Sequence, residues 1–334
     1  MRSNRGKGGV LSMEISDKQT LRRCVKQAVR RADVVETLLN FDVCKGEMGV
    51  KTLAETLPKG QEGTPFQADT VAAYAAMDAL EMPSGDWRRA ALIQSGYTRE
   101  AYLREILDAM HANRVLARVS IQDAHDTAFE DDRMMPLLAL PDDFFAPGRY
   151  GVDYAKRAEE IGSAANACGA KDILLERFDE SALRFCLIPI CEDAQLRLHI
   201  HLTDQKMLDI FLKLLDASDS LRAVAFASEG VEPLLIEAAV SRRRLLVRTS
   251  RHIPLAIRKL GMRFVPYASE AALPEQMLGR WIMARETIWP ILCDAYLPLA
   301  RCGYRLTSEQ VASDVQMLLG GHFLTDDITR DACE

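Results

Sequence analysis

The sequence predicts an α/β protein, a (β/α)8 TIM barrel with an N-terminal helix and a C-terminal helical extension. Three observations predict it. Eight short apolar runs recur along the 334 residues, amphipathic helical segments separate most of them, and no G-x-G-x-x-G fingerprint follows any run. Helical crossovers imply parallel pairing, and the regular count favours a closed barrel over an open doubly wound sheet.

Residues 1–12 are rich in Gly, Arg and Lys with little to bury, and read as a disordered tail, with Met13 as an alternative start. Leu21, Cys24, Val25 and Ala28 give helical spacing over 16–32, and apolar residues over 34–43 read as the first strand. Gly46, Gly49, Pro58, Gly60, Gly63 and Pro65 mark a long loop over 45–67, a lid or an ordinary variable loop. Helices come next over 68–82 and 99–113, the second capped by Thr98. The remaining strands are expected over 115–121, 134–140, 172–176, 195–202, 223–227, 245–249 and 263–267. Helices over 153–167, 205–215, 232–242 and 253–260 separate the later ones. From Pro274 the chain reads as helix, with Trp281, Ile282, Ile288, Trp289, Leu292 and Tyr296 spaced to pack on the barrel. A last helix over 308–319 should stop at Gly320-Gly321. The expected organisation is a tail (1–12), a barrel (13–273) and C-terminal helices (274–334).

Lys and Arg number 42 against 48 Asp and Glu, a net charge of -6 that argues against a nucleic-acid partner. The dense basic cluster Arg242-Arg243-Arg244 reads as the end of a solvated helix. No apolar run approaches the roughly 20 residues needed to cross a bilayer, which argues against a membrane or secreted protein. Eight irregularly spaced cysteines without a C-x-x-C suit a reducing cytoplasm.

Barrel chemistry sits after the C-terminal ends of strands, where this sequence places Asp142, Glu176, Arg177, His199, His201, Arg248 and Glu270. His199 and His201 are two apart in a strand and so share a face, a candidate pair for one divalent ion such as zinc, manganese or iron. Asp204, Glu176, Asp142 or Glu229 could complete that set. Arg177, Arg248 and Arg251 could bind a carboxylate or phosphate, or serve as surface ion pairs. Cys44 with a histidine offers little support for nucleophilic catalysis, and there is no G-x-S-x-G elbow.

Leu137-Leu138-Ala139-Leu140-Pro141-Asp142, Leu198-His199-Ile200 and the tail from Met277 to Gly321 resemble the amidohydrolase superfamily, in particular its uronate isomerase branch. The resemblance covers roughly residues 30–324 and implies a metal-dependent barrel acting on a sugar acid. It also implies a His-x-His pair after the first strand, where this chain reads Phe41-Asp42-Val43-Cys44-Lys45-Gly46, and an Asp after the eighth, where it reads Tyr267-Ala268-Ser269-Glu270. An Arg is implied where Leu140 stands and a glycine where His201 stands.

Three functions are expected from these residues. The first is a barrel of this kind with a degraded metal site and divergent or lost activity. The second is an enzyme on a sugar acid or small carboxylate, rebuilt around metal ligands His199 and His201, catalytic Asp142, Glu176 and Glu270, and substrate-binding Arg177 and Arg248. The third is a structural or homo-oligomeric protein whose helical tail around Trp281 and Trp289 packs on a partner.

Overall fold

The computed structural model describes residues 15, 17–40, 48–49, 53–54, 68–83, 86–129, 131–147 and 151–324. The expected tail, Met13, Cys44 and most of the 45–67 loop lie outside them.

Helix α1 (Lys18–Arg31) starts where the Asp17 carboxylate accepts the Gln19 and Thr20 amides, and it buries Leu21, Val25 and Val29, one stripe at i, i+4, i+8. Strands β1 (Val34–Leu39), β2 (Ala112–Ser120), β3 (Met134–Leu140), β4 (Asp172–Leu175), β5 (Arg197–Leu202), β6 (Arg222–Ala227) and β7 (Leu245–Val247) form one parallel sheet in sequence order. Between them lie α2 (Ala68–Ala79), α3 (Trp87–Gln94), α4 (Arg99–Met110), α5 (Tyr154–Cys168), α6 (Ile188–Asp193), α7 (Gln205–Ala217) and α8 (Glu232–Ala239), and α9 (Ile253–Leu260) follows β7. Thr98 caps α4 as its sequence predicts. The sequence reading missed α3, capped by Asp86, and the helical run before α6, which contains a π-turn over Leu183–Leu187.

Alternation along the strands sorts their side chains. Leu116, Leu137, Leu174, Val224, Leu246 and Val265 form a small inner cluster with Phe323, while the opposite faces join the larger core under the helices. Two residues further along the same inner rows come Arg118, Glu176, Phe226 and Arg248, which line a cavity at the C-terminal ends of the strands.

The eighth place differs from the expected strand over 263–267. Val265 makes a single parallel bridge to Arg248, flanked by bonds from the Val265 amide to the Val247 carbonyl (2.8 Å) and from the Thr249 amide to the Val265 carbonyl (2.9 Å). On the other side the Asn40 amide donates to the Ala271 carbonyl (2.8 Å). Beside that bond the buried Glu36 carboxylate accepts from the amides of Leu38 and Ser269 and from the Trp281 indole N–H. A buried side chain thus joins the two edges where a backbone ladder is lacking. Burial pushes the Glu36 carboxyl up, and those donors hold it back.

The tail packs back on its own chain. Helix α10 (Pro274–Arg301) lies against α1 and α2, and Trp281 is spent on Glu36 and on an edge contact with Tyr267 at 5.1 Å. Helix α11 (Ser308–Gln316) does not stop at Gly320-Gly321 but continues through a π-turn (Met317–Gly321) into His322–Leu324. Neither glycine has the positive φ of a C-cap. Gly320 instead permits close approach to β1, since a Cβ there would stand 2.9 Å from Val35 Cγ2. That continuation carries Phe323 into the inner cluster.

Glu275, in the first turn of α10, is fully buried beside the Tyr102 hydroxyl, and burial pushes its carboxyl up to about 7. A carboxyl raised in the fold favours folding in its protonated form, so its contribution is complete below its unfolded value and is lost as pH rises through about 7. The difference corresponds to about 3 kcal/mol. Glu275→Gln should therefore gain stability of this order at pH 8 and little at pH 4.5. Urea unfolding at the two pH values checks it, and equal effects at both would count against a charged, buried Glu275 above pH 7.

Candidate functional site

The strand ends enclose a cavity of about 760 Å3 that gathers Asp142, Glu176, His201, Arg248 and Glu270 with Arg118, Phe226, Glu229, Glu232 and Arg251 among its lining residues. Its centrepiece spans three adjacent strands. His201 on β5 pairs in register with Phe226 on β6, and the imidazole stacks on the phenyl ring with centroids 4.7 Å apart and an 8° tilt. The Arg248 guanidinium, just past β7, lies 3.8 Å from the same ring.

Arg248 is 8% exposed, yet its carboxylate partner Glu270, at 2.6 Å, is 54% exposed. Burial pulls the arginine down from its ordinary value, opposed by Glu270 and Glu36. Burial and the neighbouring Arg248 charge both lower His201, so its imidazole is neutral at pH 7 and free to accept a proton. Arg118 grips Glu176 at 2.6 Å. Burial and the nearby Asp142 charge raise Glu176, while Arg118 lowers it. Along one wall the Thr249 hydroxyl donates to the Glu232 carboxylate, whose other oxygen is 3.4 Å from His252 Nδ1.

The remaining sequence candidates sit at the edge of this cavity or outside it. Arg177 lines a neighbouring cavity of about 390 Å3 with Asp142, Asp143, Phe178 and Asp179. Asp204 is engaged as the N-cap of α7, and Glu229 is an exposed partner of Arg251 at 4.0 Å. His199 faces the same inner side as His201 but lies below the cavity. It is 2% exposed, with Nε2 2.8 Å from Asp172 Oδ1 and its ring 6.0 Å from that of Phe323.

This donor set does not fit a metal ion. Among the described residues no three His, Cys, Asp or Glu side chains are placed to hold one. Nε2 of His199 is engaged by Asp172, and the carboxylates of Glu176 and Glu270 face guanidinium groups. The tail of the first strand over 41–47 lies outside the described residues.

No protein-family model and no curated protein matches this sequence. Its fold has solved counterparts. A uronate isomerase from Bacillus halodurans C-125 superposes with a TM-score of 0.77 at 15% identity, over 92% of this chain and 96% of that one. A proposed metal-dependent hydrolase from Lactobacillus casei ATCC 334 gives 0.60 at 14% identity, over 92% and 99%. A glucuronate isomerase from Caulobacter crescentus gives 0.58 at 9% identity, over 92% and 94%. At such identities the likeness is one of fold. It agrees with the resemblance read from the short strand-end motifs.

Sequence reasoning missed Arg118, Phe226, Glu232 and Thr249. Arg118 and Phe226 were accessible from strand alternation, each standing two residues beyond an inner-row residue, Leu116 and Val224. Glu232 sits at the start of α8, with no local signal of a partner 17 residues away.

Proposed function

We propose that this chain is an amidohydrolase-like (β/α)8 barrel, with residues 263–271 in the eighth position, that binds a small carboxylate or sugar acid at its mouth. Its chemistry has diverged from the metal-dependent kind that the resemblance implies. The observation that carries the reading is Arg248, a nearly buried guanidinium on an aromatic ring in a cavity wall, paired with a glutamate that is mostly in water. A buried cation needs an anion. Here the resident one re-solvates easily, leaving the fork open to a ligand carboxylate. The uronate and glucuronate isomerases of similar fold are named for sugar acids, which supports this ligand class. With a carboxylate on Arg248, neutral His201 next to it is suited to take a proton.

Calorimetric titration with D-glucuronate tests the reading. Saturable binding is expected in the wild type and a loss of about ten-fold or more in Arg248→Met, the scale of one charge-assisted hydrogen bond. Glu270, left in solvent, should keep the variant folded. No binding, or binding indifferent to Arg248, would sink the proposal. Stoichiometric zinc, manganese or iron in protein purified without chelators would sink its metal-free part.

A further inference from the structure

Two arginines face the cavity from well-separated strands, and each is held by a glutamate of this chain. Arg118 lies on β2 with Glu176 at 2.6 Å, and Arg248 lies past β7 with Glu270 at 2.6 Å. All four residues line the same space. Along the sheet β3 to β6 separate the two arginines, and around the open side β1 and the 264–271 segment do. They therefore address different ends of a ligand.

A guanidinium fork takes a carboxylate in the same geometry whether it belongs to a side chain or a ligand. Both resident carboxylates are poorly settled. Glu270 is 54% exposed and has a left-handed backbone (φ 50°), disfavoured for a residue other than glycine. Glu176 is crowded by the Asp142 charge and raised by burial.

We propose that the cavity takes a ligand with two carboxylates, a sugar diacid, one on Arg248 and one on Arg118, with Glu270 and Glu176 occupying those forks until it arrives. This rests on the reading above that Arg248 anchors a carboxylate. A cavity of about 760 Å3 lies within the usual range for ligand pockets. A monoacid would displace one glutamate and leave the other pair as it is.

Parallel titrations with D-glucuronate, which has one carboxylate, and D-glucarate, which has two, test the inference. Glucarate should bind the wild type at least about ten-fold more tightly. Arg118→Met should remove that advantage and leave glucuronate affinity within about two-fold. Glu176→Gln, which frees Arg118 without removing it, should strengthen glucarate binding alone and serves if Arg118→Met does not fold. Glucarate binding no more tightly than glucuronate, or an advantage that survives Arg118→Met, would overturn the diacid while the Arg248 reading stands. Binding of neither acid would overturn both.

Discussion

Gly279→Ala should destabilise the protein by about 3 kcal/mol or more, at the upper end for overpacking. Two effects oppose each other at this position. Gly279 lies inside α10 with ordinary helical φ, and replacing glycine by alanine in a helix interior is worth about 1 kcal/mol in favour of alanine. Against that, an added Cβ would stand 1.9 Å from the Ala72 carbonyl oxygen and 2.5 Å from its carbon. Both are backbone atoms of α2, so no side-chain rotation relieves the clash and the two helices must separate. Separation then opens the core around Ala73, Met77 and Leu278. Sterics win by a wide margin. Gly230→Ala is the control, because a Cβ there meets nothing within 4 Å and its φ is not positive. Thermal and denaturant unfolding of the pair should show a large loss at Gly279 and almost none at Gly230. A Gly279→Ala protein as stable as the wild type would mean that the α2–α10 crossing contributes little.

The positions of β1 to β7 were legible because each is an apolar run bounded by polar residues, a local property of the chain. What the sequence hid arises from pairing between elements. The run over 263–267 reads as a strand, yet β7 is three residues long and the far edge is joined through the Glu36 carboxylate, so one bridge forms in place of a ladder. Gly320-Gly321 reads as a helix stop, but Gly320 answers the proximity of Val35, which no local pattern records. At the cavity, Asp142, Glu176, His201, Arg248 and Glu270 were legible because each stands at or just past the C-terminal end of an apolar run, where a barrel opens. His199 shares the inner face of His201 but lies below the cavity, because alternation gives the face and not the depth. Asp172 and Arg197, which flank it, are Cα partners across β4 and β5, and that register is invisible in one sequence.

Asp172→Ala should cost about 3–5 kcal/mol, the usual loss when one partner of a buried ion pair is removed. Asp172 is 4% exposed and Arg197 13%. Its Oδ1 accepts from Arg197 Nε at 2.6 Å and lies 2.8 Å from His199 Nε2, while Oδ2 takes Arg197 NH2 at 3.2 Å. Truncation leaves the Arg197 guanidinium with the Phe323 carbonyl at 3.0 Å and the Phe323 ring at 3.6 Å, neither of which carries a charge to balance it. The pH dependence identifies the cause. Although burial works the other way, the Arg197 charge and His199 hold the Asp172 carboxyl well below its ordinary value. A depressed carboxyl contributes stability that is complete above its unfolded value, about 3.9, and is lost as pH falls through its folded value. His199 is likewise depressed, by burial, so the unfolded chain takes its proton first and stability falls as pH drops below about 6.5. Wild type should thus lose stability in two stages on acidification. Asp172→Asn, which keeps the shape and an acceptor, should remove the part of the loss below pH 4 that the Asp172 carboxylate contributes. Urea unfolding of both proteins between pH 3 and 8 measures this, and an unchanged slope below pH 4 would show that the Asp172 cluster does not govern the acid limb.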